Sequence, residues 1–170
     1  HLPATLIEEE IPAPMDNRAL ALEERIKDYL VGAGLTETIS YYLTEPEQER
    51  RLYAGADDAP STDEGVFVRL ANPSTLDRRV MRRTLLVSIV ETLQTNLRHR
   101  DRAAVFETGL VYHPLNGALP RETRWLAIGM TGSATPATWH GDGGAERDYY
   151  AVKGVVEALM RHLHLSARIS

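Results

Sequence analysis

Residues 70 to 112, LANPSTLDRRVMRRTLLVSIVETLQTNLRHRDRAAVFETGLVY, constrain the fold more than any other part of the chain. Asn72-Pro73-Ser74 is a turn signal, because Pro presets its backbone and Asn and Ser bond to their own. Leu85, Leu86, Ile89, Val90, Leu93 and Leu97 then recur on one side of a 3.6-residue period, which predicts an amphipathic helix. From Ala103 to Tyr112 the period changes to two. Val105, Gly109 and Val111 alternate with Ala104, Phe106, Leu110 and Tyr112, apolar on both faces except at Glu107 and Thr108. That predicts a strand covered on both sides. These three pieces specify a core. By themselves they name no chemistry.

The rest of the chain supplies elements to pack around that core. His1 to Met15, with Pro3, Pro12, Pro14 and three consecutive glutamates, reads as an extended entry segment, and residues 16–170 as one core domain. Asp16 or Asn17 can cap a helix running to about Ala33, with Leu20, Ile26, Tyr29, Leu30 and Ala33 on its buried side and Gly34 as its stop. Thr36 to Leu43 is β-branched and aromatic, hence a strand. Thr44 with Glu47 resembles a capping box for a short helix up to Tyr53. Residues 54–65 read as an acidic surface loop, and Val66 to Leu70 as a short strand.

A hairpin connection longer than the tight two-residue kind is expected over His113–Arg121, around Pro114, Asn116-Gly117 and Pro120. Arg124 to Gly132 is the returning strand, residues 133–148 a polar loop, and Tyr149 to Leu163 a last helix bearing Val152, Val155, Val156, Leu159 and Leu163. Helices interleaved with hairpin-paired strands predict an α+β fold, an antiparallel sheet flanked by helices.

A length of 170 residues suits a single domain, and the formal net charge of −5 argues against a protein that coats nucleic acid generally. With no cysteine, disulfides and thiolate metal sites are excluded. No apolar run approaches the roughly 20 residues of a membrane span, and the N-terminal residues do not read as a secretory signal, so a soluble cytoplasmic protein without membrane contact is expected.

The order of residues carries more. N-P-S followed by M-R-R-T-L-L (Asn72 to Leu86), then N-L-R-H-R (Asn96 to Arg100), then V-F-E-T-G-L-V-Y (Val105 to Tyr112) resembles the bacterial phenylalanyl-tRNA synthetase beta subunit. The likeness is to its catalytic-like domain, a degenerate class II synthetase core. IEEEIPAPM (Ile7 to Met15), GLTETISYYL (Gly34 to Leu43) and DYYAVKGVVEAL (Asp148 to Leu159) continue it in order. The resemblance implies a class II antiparallel sheet and a scaffolding role for an alpha subunit that charges tRNA(Phe) with ATP and magnesium. It also implies further strands after the last helix, so a fragment with one sheet edge unfilled, able to self-associate when isolated, is expected.

The candidate residues divide by role. Catalytic class II synthetases place an arginine after an aromatic on the strand that follows the long helix, to hold the α-phosphate of ATP. The resemblance puts Glu107 there, and a carboxylate repels phosphate; no catalytic residue is expected in this domain. Asn72, Pro73, Met81, Arg82, Leu85, Leu86, Ile89, Leu93 and Asn96 are expected as packing and subunit-interface residues. Arg78, Arg79, Arg82 and Arg83, with Arg98, His99, Arg100 and Arg102 at the far end of the helix, admit three readings: contact with RNA phosphate, above all by Arg78, Arg79, Arg98 and Arg100; pairing with acidic neighbours and the helix dipole; or, as the resemblance implies, Met81-Arg82 and the adjoining helix facing the partner subunit. His162 and His164 diverge by about 200° on a helix and make no shared metal site, and His140 beside Asp142 is a weak signal, so no metal site is expected. Gly154 is expected to let the last helix pack closely on the sheet. Two rival functions stay open: an RNA-contacting module using arginines 78–102, and an independent ATP-using class II-like enzyme.

Overall fold

The computed structural model describes residues 13, 15–56, 60–61, 63–116, 118–141 and 143–166. The expected entry segment 1–15 therefore lies outside the described residues except for Ala13 and Met15, as do Gly117 and Asp142. Among the described residues four α-helices and five strands follow in order: α1 (Arg18–Gly32), β1 (Thr36–Glu37), β2 (Leu43–Thr44), α2 (Pro46–Leu52), β3 (Val80–Met81), α3 (Leu86–Leu97), β4 (Ala103–Leu115), β5 (Ala118–Thr131) and α4 (Tyr149–His162).

The centre is the β4–β5 hairpin, antiparallel with Val105 opposite Gly129 and Val111 opposite Thr123. β1 joins the other edge of β4 in parallel, giving the order β1-β4-β5, and β2 and β3 form a separate antiparallel pair. Alternation along β4 and β5 sorts the core into two layers. Val105, Val111 and Ala127 meet Leu85, Ile89 and Leu93 of the α3 segment on one face. Phe106, Leu126, Ile128 and Met130 meet Leu30 of α1, Leu35 and Leu159 of α4 on the other. The strand predicted to be covered on both sides is covered on both sides.

Caps and turns are where local chemistry decides. Asn17 caps α1 by accepting from the Leu20 amide at 3.1 Å, and Asp148 caps α4 by accepting from Ala151 at 3.0 Å. Gly34, at φ +87°, stops α1 in the left-handed region. A carboxylate pins α1 to the sheet: Glu23 accepts from Thr108 Oγ1 at 3.0 Å and pairs with Arg124, while Lys27 bridges Glu23 at 3.3 Å and Glu37 at 3.0 Å.

Several expectations are corrected. The single strand over Thr36–Leu43 is two short ones, because the chain leaves β4 after Thr38 and crosses over with Ile39 and Tyr41 exposed before pairing with β3. Thr44 lies in β2 and caps nothing; α2 starts at Pro46, a residue preset for a first helical position. Residues 66–70 form no regular strand, only a bridge from Arg69 to Val80 after a 3-10 turn at Glu64–Val66. The hairpin strands extend to Leu115 and from Ala118, so the connection is short, with a register shift between His113 and Leu115 that accommodates Pro114. Leu20 of α1 and Ala33, the residue that follows its end, are exposed rather than buried. Gly154 is exposed as well, and a Cβ built there meets no atom within 4 Å, so close packing is not its reason.

Candidate functional site

Glu107 is the residue on which the sequence argument turned, and the fold buries it. It points to the α3 face of β4 at 2% exposure, beside Arg82, also at 2%. Arg82 Nη1 lies 2.6 Å from Glu107 Oε1. The Ser40 hydroxyl sits 2.8 and 2.6 Å from the two Glu107 oxygens and accepts from Arg82 Nη1 at 2.8 Å. Arg82 Nε donates to the Leu110 carbonyl at 2.9 Å, and its guanidinium lies over the Tyr42 ring, 4.7 Å from the centroid.

Backbone bonds fix the frame around this group. The Arg82 amide donates to Tyr42 O and the Arg82 carbonyl accepts from Tyr112, both at 2.9 Å. Gly109 is required by close approach: a Cβ there would overlap the Arg82 guanidinium, which its own bonds hold in place. Tyr112 packs edge-on to Tyr42 with centroids 6.2 Å apart. Burial, then the charge of Glu122 and the neighbouring Tyr42, push the Tyr112 hydroxyl pKa up despite Arg82 nearby.

The chemistry of this centre is self-contained. A buried carboxylate is tolerable only when paired and hydrogen-bonded, and here both oxygens are engaged. Such a group has no capacity to hold a phosphate anion. Arg82, expected as a packing or interface residue, is used inside the chain.

A second buried pair lies beside it. Glu49 of α2, 2% exposed, is gripped by Arg83, which also donates to Ser61 O at 2.8 Å and stacks over Phe67 at 4.4 Å. His113 is half-buried near this pair. Burial first, then the positive charges of Arg121 and Arg83, hold its pKa below the ordinary value, against the pull of Glu49. Neither Ser40 nor Glu49 was singled out by the sequence. A serine in an aromatic strand-like run and a glutamate in a charged helix carry no signal separating them from surface residues.

The six apolar residues of the α3 stripe do not share one fate. Leu85 and Ile89 are buried and Leu93 packs on them, whereas Leu86, Val90 and Leu97 are 45, 37 and 46% exposed. Rotation explains the split: Leu85, Ile89 and Leu93 fall within about 80° of one another, and Leu86, Val90 and Leu97 lie about 100–140° from Leu85. One sheet face covers the first group and leaves the second to solvent. Val87, outside the predicted stripe, is buried.

The remaining candidates are dispersed. Asn72 and Pro73 lie in an exposed turn. Met81 is half-buried opposite Leu43, and Asn96 donates back to Thr92 O at 2.9 Å. Arg78 stacks on Tyr41 at 3.8 Å, and Arg79 reaches Glu45 at 3.9 Å. Arg98 and Arg100 are exposed beyond α3. His162 stacks on Tyr29 at 4.8 Å, and His140 on Trp139. Among the described residues no group of three or more His, Cys, Asp or Glu is placed to hold a metal ion, and no helix is long and apolar enough to cross a membrane.

Comparison with known proteins places this geometry. The family model described as the phenylalanyl tRNA synthetase beta chain CLM domain matches residues 2–170. Relatives include the phenylalanine–tRNA ligase beta subunit of Syntrophus aciditrophicus, 37% identical over 91% of this chain and 19% of the relative. That of Bacillus thuringiensis subsp. konkukian is 31% identical over 100% of this chain and 20% of the relative. The chain thus spans about a fifth of the length of the curated relatives it matches. Among solved structures, a pyrrolysyl tRNA synthetase from Desulfitobacterium hafniense superposes with a TM-score of 0.60 at 13% identity, covering 88% of this chain and 48% of that one. The fold is that of a class II aminoacyl-tRNA synthetase core, and the chain belongs to the phenylalanyl-tRNA synthetase beta chain family.

Proposed function

We propose that this member of the phenylalanyl-tRNA synthetase beta chain family is a catalytic-like domain that has exchanged catalysis for scaffolding. In this reading it supports a cytoplasmic alpha subunit that charges tRNA(Phe) with phenylalanine, using ATP and magnesium bound outside this domain. The observation that carries the non-catalytic half is Glu107. It stands where the resemblance places the phosphate-binding arginine of catalytic relatives, and its carboxylate is occupied by Arg82 and Ser40. Reversing the sign of the charge at that position removes the group that stabilises the transferring phosphate.

The scaffolding half is supported by α3. Leu86, Val90 and Leu97 form an apolar half-stripe that the described residues leave partly exposed, beside a half-stripe in which Leu85 and Ile89 are buried and Leu93 packs on them. A helix apolar over so wide an arc fits two packing partners, the sheet behind and a second surface in front. The alpha subunit is the occupant we assign to that second surface. ATP–pyrophosphate exchange by the full-length beta subunit alone tests the non-catalytic half: no exchange above background is expected, and exchange that depends on this domain would revive the reading as an independent ATP-using enzyme.

A further inference from the structure

A cavity of about 310 Å3 lies where the turn after α3 meets β1 and the start of β4. Arg100, Arg102 and Arg147 line it, with Thr36, Thr38 and Asn96, and no Asp or Glu does. These arginines come from three places: the turn after α3, the residue before β4, and the residue before the cap of α4.

They are treated differently from the chain's other clustered arginines. Arg79, Arg82 and Arg83 each meet a carboxylate, and Arg78 meets an aromatic ring. Among the described residues no ion pair reaches Arg100, Arg102 or Arg147. Arg102 Nη1 donates to Ala134 O at 3.0 Å and Arg147 Nη1 to Ala103 O at 3.2 Å, so each head is tethered through one of its five donors. Among the described residues the Arg100 side chain makes no hydrogen bond, and only its backbone amide is engaged, donating to Asn96 O at 3.0 Å. Asp101 and Glu146 adjoin these arginines in sequence yet do not line the cavity, and the Asp148 carboxylate is occupied capping α4. The dipole at the C-terminal end of α3 favours a cation at Arg100 but does not account for Arg102 and Arg147, which sit on other elements.

Three unmatched cations converging on one cavity, in a chain of net charge −5, call for an anion. Guanidinium forks match phosphate oxygens in pairs, and a volume near the low end of ligand pockets fits a phosphate or pyrophosphate group. We propose that this cavity is a phosphate-binding site, with Arg100, Arg102 and Arg147 as its ligands. The phosphate is either that of a small free compound or a phosphodiester of an RNA strand lying across the mouth. The site does not use the α3 half-stripe, so it stands or falls separately from the scaffolding reading.

The test is titration of the full-length beta subunit with inorganic pyrophosphate by calorimetry, at fixed ionic strength. One saturable site per chain is expected, weakened about tenfold by Arg147→Gln and by Arg100→Gln, and unchanged by Arg50→Gln on the exposed side of α2. The Arg100 side chain makes no hydrogen bond among the described residues, so Arg100→Gln keeps the test decisive even if Arg147→Gln disturbs the fold. Competition by a short single-stranded RNA, with a salt slope that drops by about one in each variant, supports the RNA source. Pyrophosphate binding that the RNA does not displace supports the free compound. Absence of saturable binding, or binding that both arginine variants leave untouched, overturns the proposal.

Discussion

Arg82 and Glu107 meet 2.6 Å apart in the interior, 25 residues apart in sequence, each side chain 2% exposed. Removing one partner leaves the other charged, buried and unmatched. Glu107→Ala is expected to destabilise the domain by about 3–5 kcal/mol, whereas the double change Arg82→Met with Glu107→Leu is expected to lie near neutral or to stabilise, because both desolvation penalties vanish together. Chemical denaturation of the two variants checks this. Equal losses in both would show that the charges are not the reason.

Gly109→Ala acts on the same centre from the backbone. Its new Cβ overlaps the Arg82 guanidinium, and moving that group breaks its bonds to Glu107, Ser40 or Leu110. A loss of about 1–3 kcal/mol is expected, opposite in sign to Gly154→Ala, which at an open site inside α4 is expected to gain about 0.5–1 kcal/mol. Parallel thermal melts of Gly109→Ala and Gly154→Ala measure the contrast.

The split of the α3 stripe gives a third expectation. Ile89→Ala, on the sheet side, is expected to cost about 2–5 kcal/mol by opening a cavity. Leu86→Ala, on the open side, is expected to stay within about 0.5 kcal/mol in the beta subunit alone. Urea midpoints of the two variants settle whether the exposed residues are free of internal packing.

His113 predicts part of the acid response. Its folded pKa lies below the ordinary 6.5, through burial and then the charges of Arg121 and Arg83. On acidification the unfolded chain therefore binds the proton first. The contribution of His113 is fully present above about pH 6.5 and is lost as the pH falls through the folded value. Glu23, whose pKa is also lowered because its Thr108, Lys27 and Arg124 contacts outweigh burial, adds a similar loss at lower pH. Unfolding free energies at pH 7.5 and 5 are expected to differ less in His113→Gln than in the parent chain.

Much of the fold was legible in residue order because period and burial agree in β4. Its odd-numbered residues face α3 and its even-numbered ones face α1 and α4, so alternation with apolar residues on both sides describes the strand fully. The hairpin length was not legible: Pro114 and Pro120 read as breakers, yet a register shift lets the ladder run past Pro114. The run from Thr36 to Leu43 misled for a different reason. Its strand-forming residues carry no mark of where the chain abandons β4, and that point is set by Ser40 reaching Glu107 across 67 residues. The significance of Glu107 was legible only through family resemblance, whereas its partner Ser40 and the grouping of Arg147 with Arg100 and Arg102 needed coordinates.

The measurement that bears most directly on the central claim is assembly of the alpha subunit with a full-length beta subunit carrying Leu86→Asp and Val90→Glu. Leu86 is the first residue of α3, where an acidic side chain suits the helix dipole, and Val90→Glu keeps a good helix former on the solvent side. The beta subunit is therefore expected to keep its fold by circular dichroism and to lose co-purification and co-sedimentation with alpha. A variant that still assembles with alpha at the parent affinity would contradict the account.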